Sequence, residues 1–361
     1  MHLLNRHGCI IMEYTKLGWS DVKVSRVCLG SMTWGIQNTQ QDADEQIEYA
    51  LSRGINFIDT AEMYPIPPNE ETCSDTESVI GDWLSRHPDK RKGIVVATKI
   101  AGSGLRWIRD GGNITGEAII TAIDASLKRL QTDYIDLYQL HWPNRTSPHF
   151  GKHKPNHVTF TSLDREQETA GMLEILQALD ACVKAGKIRY CGLSDDTCWG
   201  ISQYLKLSEQ HSLPRMLSIQ NEFNLLQSKD WPYLVEQCVH EEVAFLPWSP
   251  IAGGALSGKY LDGARPEGSR WSLEQRNGLF RDNKQVDAAV AEYQGIAEAN
   301  GMTAAQLALA WCDQVDGVTS SIIGATTMDQ LKEDIDAFEM KLGDDVLKSI
   351  GEVLSRYPAP F

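Results

Sequence analysis

Apolar residues follow two alternating patterns along this chain. Short dense runs rich in Val, Ile and Leu are typical of buried strands, and longer stretches with apolar residues every three or four positions are typical of amphipathic helices. The predicted strands are residues 25–29, 56–59, 94–98, 135–140, 188–193, 217–220, 243–248 and 321–323. The predicted helices between and after them are residues 42–53, 76–86, 116–130, 166–185, 199–209, 229–239, 285–299 with 303–313, and 328–338.

Regular alternation of strand and helix predicts repeated βα units with parallel strands. Eight strands with eight crossovers predict an α/β fold, a closed (β/α)8 TIM barrel. A further helix is predicted around residues 344–354, after the barrel. Three long irregular segments follow predicted strand ends, at residues 65–73, 142–164 and 251–283, and predict extended loops at the C-terminal face. They are either ligand-covering loops or plain surface insertions.

Domain organisation is predicted to be simple. No shift in composition marks a boundary, so residues 12–361 are expected to form one domain. Residues 1–11 are treated as an N-terminal extension that is either disordered or not native, with Met12 as an alternative start. They contain no apolar core of the length that a secretory signal requires.

Composition and charge narrow the class of protein. The 361 residues are 42% hydrophobic, and no apolar run approaches the roughly 18 residues of a membrane span. The formal net charge of −15 repels phosphate backbones and anionic lipid, which argues against nucleic acid or a membrane as main partner. Eight scattered cysteines without a C-x-x-C pair favour free thiols, no metal site and a cytoplasmic location.

Four side chains with complementary chemistry lie at or just past predicted strand ends. Asp59, Lys99 and His141 follow the second, third and fourth strands, and Tyr64 lies five positions beyond Asp59. In a barrel these strand ends converge on one mouth. A lysine cation favours phenolate and lowers the pKa of a nearby tyrosine, and a carboxylate keeps that lysine charged. Tyr64 then becomes a usable general acid, and Tyr64 and His141 can donate to a carbonyl oxygen that receives charge.

Each of these residues also has a structural interpretation. A lone Asp often caps a helix, a lone Lys is usually solvated, and a His or Tyr before proline often only packs. The joint placement of all four is what favours chemistry.

The chain contains, in order, DTAEMYP, ATK, LYQLHWP, GLS, QNEFN, WSPIAGGALSGKY and IIGATTMDQLKEDI. This series resembles the aldo-keto reductase superfamily, and AEMYP, HWP and GATTMDQL are similar to its Tas-like branch. The resemblance extends from about Tyr14 to Pro360. It implies a (β/α)8 barrel that reduces aldehydes or ketones with NADPH, and it places the catalytic tetrad of that family on Asp59, Tyr64, Lys99 and His141.

The resemblance also implies the cofactor contacts. Trp248 would stack on the nicotinamide, although a buried structural indole is the alternative. Lys259 and Arg270 would supply charge to the phosphates, in a loop whose glycines allow close backbone approach. The full set of implied cofactor residues is Gly30, Ser31, Met32, Asp59, Ser194, Asp195, Gln220, Trp248, Ser249, Pro250, Ile251, Gly253, Lys259, Arg270, Gly324, Thr326, Gln330, Glu333 and Asp334.

One motif in the seventh loop resembles the P-loop of nucleotide hydrolases. Gly253, Gly258 and Lys259 satisfy the G-x-x-x-x-G-K spacing of a P-loop, but Tyr260 stands where Ser or Thr would hold magnesium. The partial match leaves a nucleotide hydrolase as another hypothesis, which would be tested by measuring phosphate release from ATP.

Two positions depart from the family pattern. Asp195 and Asp334 stand where the family generally has Asn. An ionised carboxylate only accepts hydrogen bonds, whereas an amide also donates, so these contacts with the cofactor are expected to be weaker. Asp334 also brings negative charge toward the adenosine phosphate, which opposes a preference for NADPH. Lys259 and Arg270 keep NADPH the expected cofactor, with NADH second.

The substrate is expected to be a small carbonyl compound. The predicted pocket consists of Trp34, Tyr64, Trp107, His141 and Trp142, with Phe150 as a further candidate, although several of these aromatic residues could be packing residues. The alternative function is a nicotinamide-binding regulatory subunit, since some relatives are accessory subunits of membrane channels. An intact His141 argues against that alternative. The identity of the carbonyl compound and the oligomeric state stay open.

Overall fold

The computed structural model describes residues 12–152, 154–273 and 280–361. The N-terminal extension at residues 1–11 therefore lies outside the described residues.

The central feature is a closed barrel of parallel strands. The strands are β3 (Val27–Gly30), β4 (Phe57–Asp59), β5 (Val95–Ile100), β6 (Ile135–Leu140), β7 (Ile188–Ser194), β8 (Met216–Gln220), β9 (Ala244–Phe245) and β10 (Ser321–Ile323). These eight strands are hydrogen-bonded in the order β10-β3-β4-β5-β6-β7-β8-β9, and all seven pairings are parallel. Isolated parallel bridges join Phe245 to Val318 and Trp248 to Ile322, which closes β9 against β10.

Helices surround the barrel. Within the described ranges they are α1 (Gln40–Ser52), α2 (Asp75–Arg86), α3 (Gly116–Leu130), α4 (Arg165–Lys184), α5 (Cys198–His211), α6 (Tyr233–His240), α7 (Lys284–Ala299), α8 (Ala304–Gln314), α9 (Met328–Ala337) and α10 (Asp344–Arg356). Most begin at a side-chain cap. Thr39 before α1 and Thr303 before α8 form capping boxes with the third helical residue, which satisfies two backbone N–H groups at each start.

Apolar side chains fill two layers. The outer layer lies between strands and helices and contains residues such as Ile47, Ile119 and Leu176. The inner layer fills the barrel with Cys28, Phe57, Ala97, Leu137, Leu217 and Leu246. Because most strand residues are buried on both faces, apolar residues are dense in the strands and do not alternate strictly with polar ones, although β7 exposes Arg189.

A short antiparallel hairpin precedes the barrel. It pairs β1 (Tyr14–Lys16) with β2 (Lys23–Ser25), and Leu17 and Val24 belong to the inner apolar layer. Since β2 ends two residues before β3 begins, the hairpin covers the N-terminal end of the barrel. The sequence did not predict it, because three-residue strands are too short to show a period.

The predicted barrel with its extended loops and C-terminal helix is confirmed. The differences lie at element ends. Strand β5 continues to Ile100, so Lys99 lies inside the strand and not after it. Strand β9 has only two residues, because Pro247 has no N–H to donate to a ladder. Helix α6 begins at Tyr233 and not at residue 229, with Pro232 at its N-cap.

The described residues contain free cysteines, as the sequence predicts, and their helices can be examined for a membrane span. Seven cysteines are free in it, and Cys9 lies outside the described residues. Among the helices that the structure describes, none combines the length and apolar character that crossing a bilayer requires.

A buried ion pair attaches the long loop before α7 to the barrel. The guanidinium of Arg281 contacts the carboxylate of Glu222, just past β8, and both side chains are almost fully buried. Asn224 Nδ2 also donates to Glu222 Oε1, at 3.1 Å. Phe280 packs against the Arg281 guanidinium, with the ring centroid 4.2 Å from Cζ.

We expect Glu222→Gln to lower the free energy of unfolding by about 3–5 kcal/mol, because it removes the anion that faces a buried guanidinium. Urea denaturation at pH 7 measures the change. Glu292→Gln is the matched control, since the Arg356–Glu292 pair is solvent-exposed and contributes little. Equal effects of the two substitutions would contradict this account of the pair.

Candidate active site

Asp59 and Lys99 form a buried ion pair at the C-terminal end of the barrel. Asp59 is the last residue of β4, and Lys99 is the fifth residue of the neighbouring β5. Lys99 Nζ donates to Asp59 Oδ2 at 2.6 Å and to the carbonyl oxygen of Thr60 at 2.7 Å. Both side chains are nearly inaccessible to solvent. The lysine that the sequence placed near Asp59 is thus in direct contact with it.

The second oxygen of Asp59 is held by two amides. Gln220 Nε2 donates to Asp59 Oδ1 at 2.9 Å, and Gln139 Nε2 donates to the same atom at 3.2 Å. These residues lie on β8 and β6, so strands on both sides of the barrel restrain one carboxylate. Gln220 was predicted to contact the cofactor. In this structure its amide nitrogen is directed at Asp59.

Tyr64 and His141 stand over this ion pair. The Lys99 ammonium lies 5.2 Å from the centroid of the Tyr64 ring. The Tyr64 and His141 rings meet edge to face, with centroids 5.6 Å apart. The structure therefore brings the four predicted residues Asp59, Tyr64, Lys99 and His141, hereafter the tetrad, to one mouth.

Burial is the largest single influence on the pKa values of Tyr64, Lys99 and His141. It raises the pKa of Tyr64 despite the opposing effect of Lys99, so the expected lowering of that pKa is not seen. Burial and the Lys99 charge hold the pKa of His141 well below its usual value, so the imidazole is neutral at pH 7. Burial opposes the charge of Lys99, but the charge and hydrogen bond of Asp59, together with Tyr64 and Cys28, outweigh it, so the pKa of Lys99 is raised.

The residues predicted to contact the nicotinamide lie around Trp248. The Trp248 indole N–H donates to Asp195 Oδ1 at 3.1 Å, and His149 Nδ1 lies 3.5 Å from the same oxygen. Burial is the main cause that raises the pKa of Asp195 well above its usual value. A protonated carboxyl group donates as well as accepts, as an amide does. The departure of Asp195 from asparagine is therefore smaller in chemical terms than the sequence implied. Ser194, the preceding residue, is buried at the end of β7.

Two glycines and two cations form a cradle in the seventh loop. Gly253 and Gly254 have φ of 64° and 94°, in the left-handed region that glycine favours. A Cβ on Gly254 would lie 2.9 Å from Cε of Lys259, and one on Gly253 would lie 3.0 Å from Nη1 of Arg270. The cations thus lie directly over bare backbone, an arrangement that fits a phosphate group.

Arg270 keeps donors available in this cradle. Its Nη2 donates to the sulfur of Met32 at 3.5 Å, and a thioether is a weak acceptor. Burial, with Arg281 nearby, lowers the pKa of Arg270 to about 10. Ser249, Pro250 and Ile251 precede the glycines and are buried or half-buried, and Asn224 Nδ2 holds the Ser249 carbonyl at 3.0 Å.

The first and eighth loops adjoin on the same rim. Ser31, after Gly30 at the end of β3, donates through Oγ to the Asp59 carbonyl at 2.8 Å. Asn38 Nδ2 donates to the carbonyl of Thr326 at 2.9 Å. Gln330 Oε1 accepts from both the N–H and the hydroxyl of Thr326, and Gly324 is exposed just before them.

Asp334 lies on the inner side of α9. Its side chain is buried beside Glu333, and burial raises the pKa of Asp334 to about 7. The positive charge of Lys259 opposes that shift, so Asp334 on α9 lies within electrostatic range of the seventh-loop cradle. At neutral pH the negative charge that the sequence attributed to Asp334 is therefore only partly present.

One pocket residue is corrected. Trp34 is fully buried in the outer core, and its indole N–H donates to Gln46 Oε1 at 2.9 Å, so it does not line the mouth. Trp107 is exposed, Trp142 is half-buried and packs near His141, and Phe150 lies 5.8 Å from Trp248 between ring centroids.

Sequence reasoning missed three polar residues at the mouth. Gln139 lies on β6, two residues before His141, so the alternation of side chains along a strand could have identified it. Glu62 lies two residues before Tyr64 but in a loop, where no alternation applies. His149 lies in an irregular loop, where no period assigns a direction to the side chain. Burial lowers the pKa of His149 to about 3, so it is neutral beside Asp195.

Comparison with known proteins gives consistent matches along the chain. The model of the aldo/keto reductase family matches residues 26–355. Protein tas of Escherichia coli (strain K12) is 41% identical over 354 residues, which cover 97% of this chain and 100% of that protein. The uncharacterized oxidoreductase YrpG of Bacillus subtilis (strain 168) is 29% identical, with 97% of each chain covered. Versiconal hemiacetal acetate reductase of Aspergillus parasiticus is 28% identical, with 94% of this chain and 96% of that enzyme covered.

We expect Asp334→Asn to stabilise the protein at neutral pH but not in acid. The raised pKa means that the folded carboxyl group keeps its proton up to about pH 7, whereas the unfolded one loses it near 3.8. The free energy of unfolding of the parent therefore falls as pH rises between these values, by up to about 4 kcal/mol at about 1.4 kcal/mol per pKa unit.

Thermal unfolding from pH 4 to pH 8 measures this difference. The two melting temperatures should coincide near pH 4 and diverge toward pH 7. Asp329→Asn, at an exposed position of the same helix, is the matched control and should show no such divergence. A constant offset at all pH values would contradict the prediction.

Proposed function

Because this chain belongs to the aldo/keto reductase family, we propose that it reduces an aldehyde or ketone to the alcohol with NADPH, using Tyr64 as general acid. The family and the relatives named as oxidoreductases or reductases make it an oxidoreductase. The observation that carries the finer proposal is the arrangement of the tetrad, with a phenol above a buried ammonium that a carboxylate holds in place.

The proton transfer follows from the protonation states. Burial keeps the pKa of Tyr64 high, so the phenol reaches the reaction with its proton. NADPH supplies the hydride to the carbonyl carbon when bound. The carbonyl oxygen then takes the Tyr64 proton, and the Lys99 ammonium stabilises the phenolate that remains. Asp59 holds Lys99 in its charged form for this purpose.

His141 supports the same oxygen. Because the imidazole is neutral, it has one N–H donor, and it can direct that donor at the carbonyl oxygen without adding a charge. Its Nδ1 is buried and has no hydrogen-bond partner within the part of the chain that the structure describes. A ligand in the mouth, or reorientation of the ring, would satisfy that atom.

The cofactor assignment rests on the cradle. Lys259 and Arg270 lie over the bare backbone of Gly253 and Gly254, which fits phosphate groups and supports a nicotinamide dinucleotide. We propose NADPH over NADH because two cations are present. The partial protonation of Asp334 at pH 7 reduces the repulsion that its carboxylate would exert.

We expect Tyr64→Phe to lower kcat for aldehyde reduction by about 10²–10⁴-fold, because the substitution removes the proton donor only. Initial rates with 4-nitrobenzaldehyde and NADPH measure the loss. The dissociation constant of NADPH, from fluorescence titration, should stay within about threefold of the parent value.

Tyr233→Phe is the matched control, since Tyr233 is exposed on α6 and should leave turnover unchanged. Unchanged turnover in Tyr64→Phe would refute the assigned acid. Tight NADPH binding by the parent without reduction of any carbonyl compound would favour the regulatory-subunit alternative.

We expect the preference for NADPH over NADH to decline as pH rises from 6 to 8, because Asp334 loses its proton in that range and repels the added phosphate. Fluorescence titration of both cofactors at each pH measures the ratio of dissociation constants. Asp334→Asn should make that ratio independent of pH over this range. A pH-dependent ratio that persists in the variant would assign the effect to another group.

A further inference from the structure

Glu62 is a buried carboxylate two residues before Tyr64. Its Oε2 accepts from the backbone N–H of Ala101 at 2.9 Å, and its Oε1 accepts from Arg109 Nη1 at 2.5 Å. Arg109 Nη2 donates to Glu62 Oε2 at 3.0 Å and to the carbonyl of Ala101 at 2.7 Å. The pair is therefore bidentate and joins the turn that carries Tyr64 to the loop that follows β5.

The backbone of Glu62 is fixed independently of its side chain. Its N–H donates to the Lys99 carbonyl at 3.0 Å, and its carbonyl accepts from Ser74 Oγ at 2.8 Å. Tyr64 is held in turn by its own backbone bonds to Ala61 and Ser74. The Tyr64 turn can therefore keep its place when the Glu62 carboxylate is altered. The element that depends on the carboxylate is the loop across from it, residues 101–112, hereafter the wall loop.

The wall loop forms one side of the mouth together with Trp142. The Trp142 indole N–H donates to the Ser103 carbonyl at 3.1 Å. A Cβ on Gly102 would lie 2.1 Å from Trp142 Nε1, so the indole rests directly on the loop backbone. Trp107 lies further along the same loop and is exposed. The position of the wall loop therefore determines where both indoles stand relative to Tyr64.

Backbone conformation in the wall loop indicates that the ion pair holds it. Arg109 and Asp110 have φ of 48° and 54°, which are unfavourable for residues with a Cβ. Such conformations persist where surrounding contacts over-determine them. Those contacts include backbone bonds within the loop, such as Gly104 N–H to the Gly111 carbonyl, and the three hydrogen bonds that the Arg109 guanidinium donates to Glu62 and Ala101. The guanidinium bonds tie the loop to the Tyr64 turn through a side chain that can be altered without changing the loop backbone.

We propose that Glu62 and Arg109 are positioning residues that set the spacing between Tyr64 and the wall loop, and that this spacing selects flat aromatic carbonyl compounds over small aliphatic ones. The inference rests on the proposed reductase function, because it concerns the substrate side of the same mouth. A planar ring would lie against Trp107 and Trp142 while its carbonyl oxygen points at Tyr64. A small aldehyde would reach Tyr64 with few contacts to the two indoles.

The same architecture occurs at the opposite end of the barrel and supplies a matched control. Asp136, at the start of β6, accepts from the backbone N–H of Val96 at 3.0 Å and from Arg91 Nη2 at 2.9 Å. Like Glu62, it is a buried carboxylate that joins an arginine to a backbone N–H in or next to β5, and its Oδ1 also accepts from Arg189 Nη1 at 2.9 Å. Asp136→Asn should therefore lower the stability of the fold to a similar extent and leave the residues of the mouth in place.

The experiment compares Glu62→Gln, Arg109→Gln and Asp136→Asn in the full chain. In Glu62→Gln the new side-chain amide would present its N–H2 group to a donor, either Ala101 or Arg109, so one contact becomes repulsive. Steady-state rates with NADPH are measured for 4-nitrobenzaldehyde and for propanal. NADPH dissociation constants and melting temperatures are measured alongside.

We expect KM for 4-nitrobenzaldehyde to rise about tenfold or more in Glu62→Gln and Arg109→Gln, with kcat/KM for propanal within about threefold of the parent. The double variant should add little to either single one, because both remove one interaction. NADPH affinity should not change. Asp136→Asn should lower the melting temperature and leave the ratio of the two aldehydes unchanged.

Three results would overturn the inference: unchanged discrimination in both mouth variants, an equal loss for both aldehydes, or the same change of discrimination in Asp136→Asn. If Glu62→Gln does not fold, Arg109→Gln decides, since its side chain is less buried. A parent protein that reduces neither these two aldehydes nor any other carbonyl compound would instead overturn the proposed function, and this inference with it.

Discussion

The contact between Lys99 and Asp59 is the constraint on which the mouth depends. An ammonium and a carboxylate are buried together, and each would be costly to bury alone. Neighbours from several strands offset that cost, since the amides of Gln139 and Gln220 donate to the carboxylate and the Thr60 carbonyl accepts a second hydrogen bond from the ammonium. Elements distant in the sequence are therefore needed to hold one charge in place. The phenol and the imidazole then take their positions and protonation states from that charge and from burial.

The barrel could be predicted because it follows from simple periodicity, and the strand ends indicated where three tetrad residues lie, whereas the role of Tyr64 came from its chemistry and from the family resemblance. Parallel strands with two buried faces give continuous apolar runs, and their carboxyl ends meet at one rim, so Asp59, Lys99 and His141 could be placed from strand positions alone. The N-terminal hairpin and Trp34 could not. The hairpin strands are too short to show a period, and whether an indole in a loop faces a mouth or a core depends on packing that no local pattern encodes.

Protonation was the other quantity that sequence reasoning misjudged. Proximity to Lys99 alone predicts a lowered pKa for Tyr64, but burial has the larger effect and reverses the sign. Burial likewise moderates the two acidic departures from the family pattern, because Asp195 and Asp334 both hold protons more tightly than an exposed carboxyl group. Charge counted from residue types is therefore a poor guide in this mouth. The depth of each group has to be known before its charge can be assigned.

The hairpin across the N-terminal end has a consequence for ligand traffic. Leu17 and Val24 seal that end against the inner apolar layer, so molecules that meet at the tetrad must enter through the opposite rim. Two ligands that share one doorway cannot exchange independently if one lies beneath the other. If the proposed cofactor lies beneath the substrate, it has to arrive first and depart last, and the closed end of the barrel would then impose that order before any chemistry.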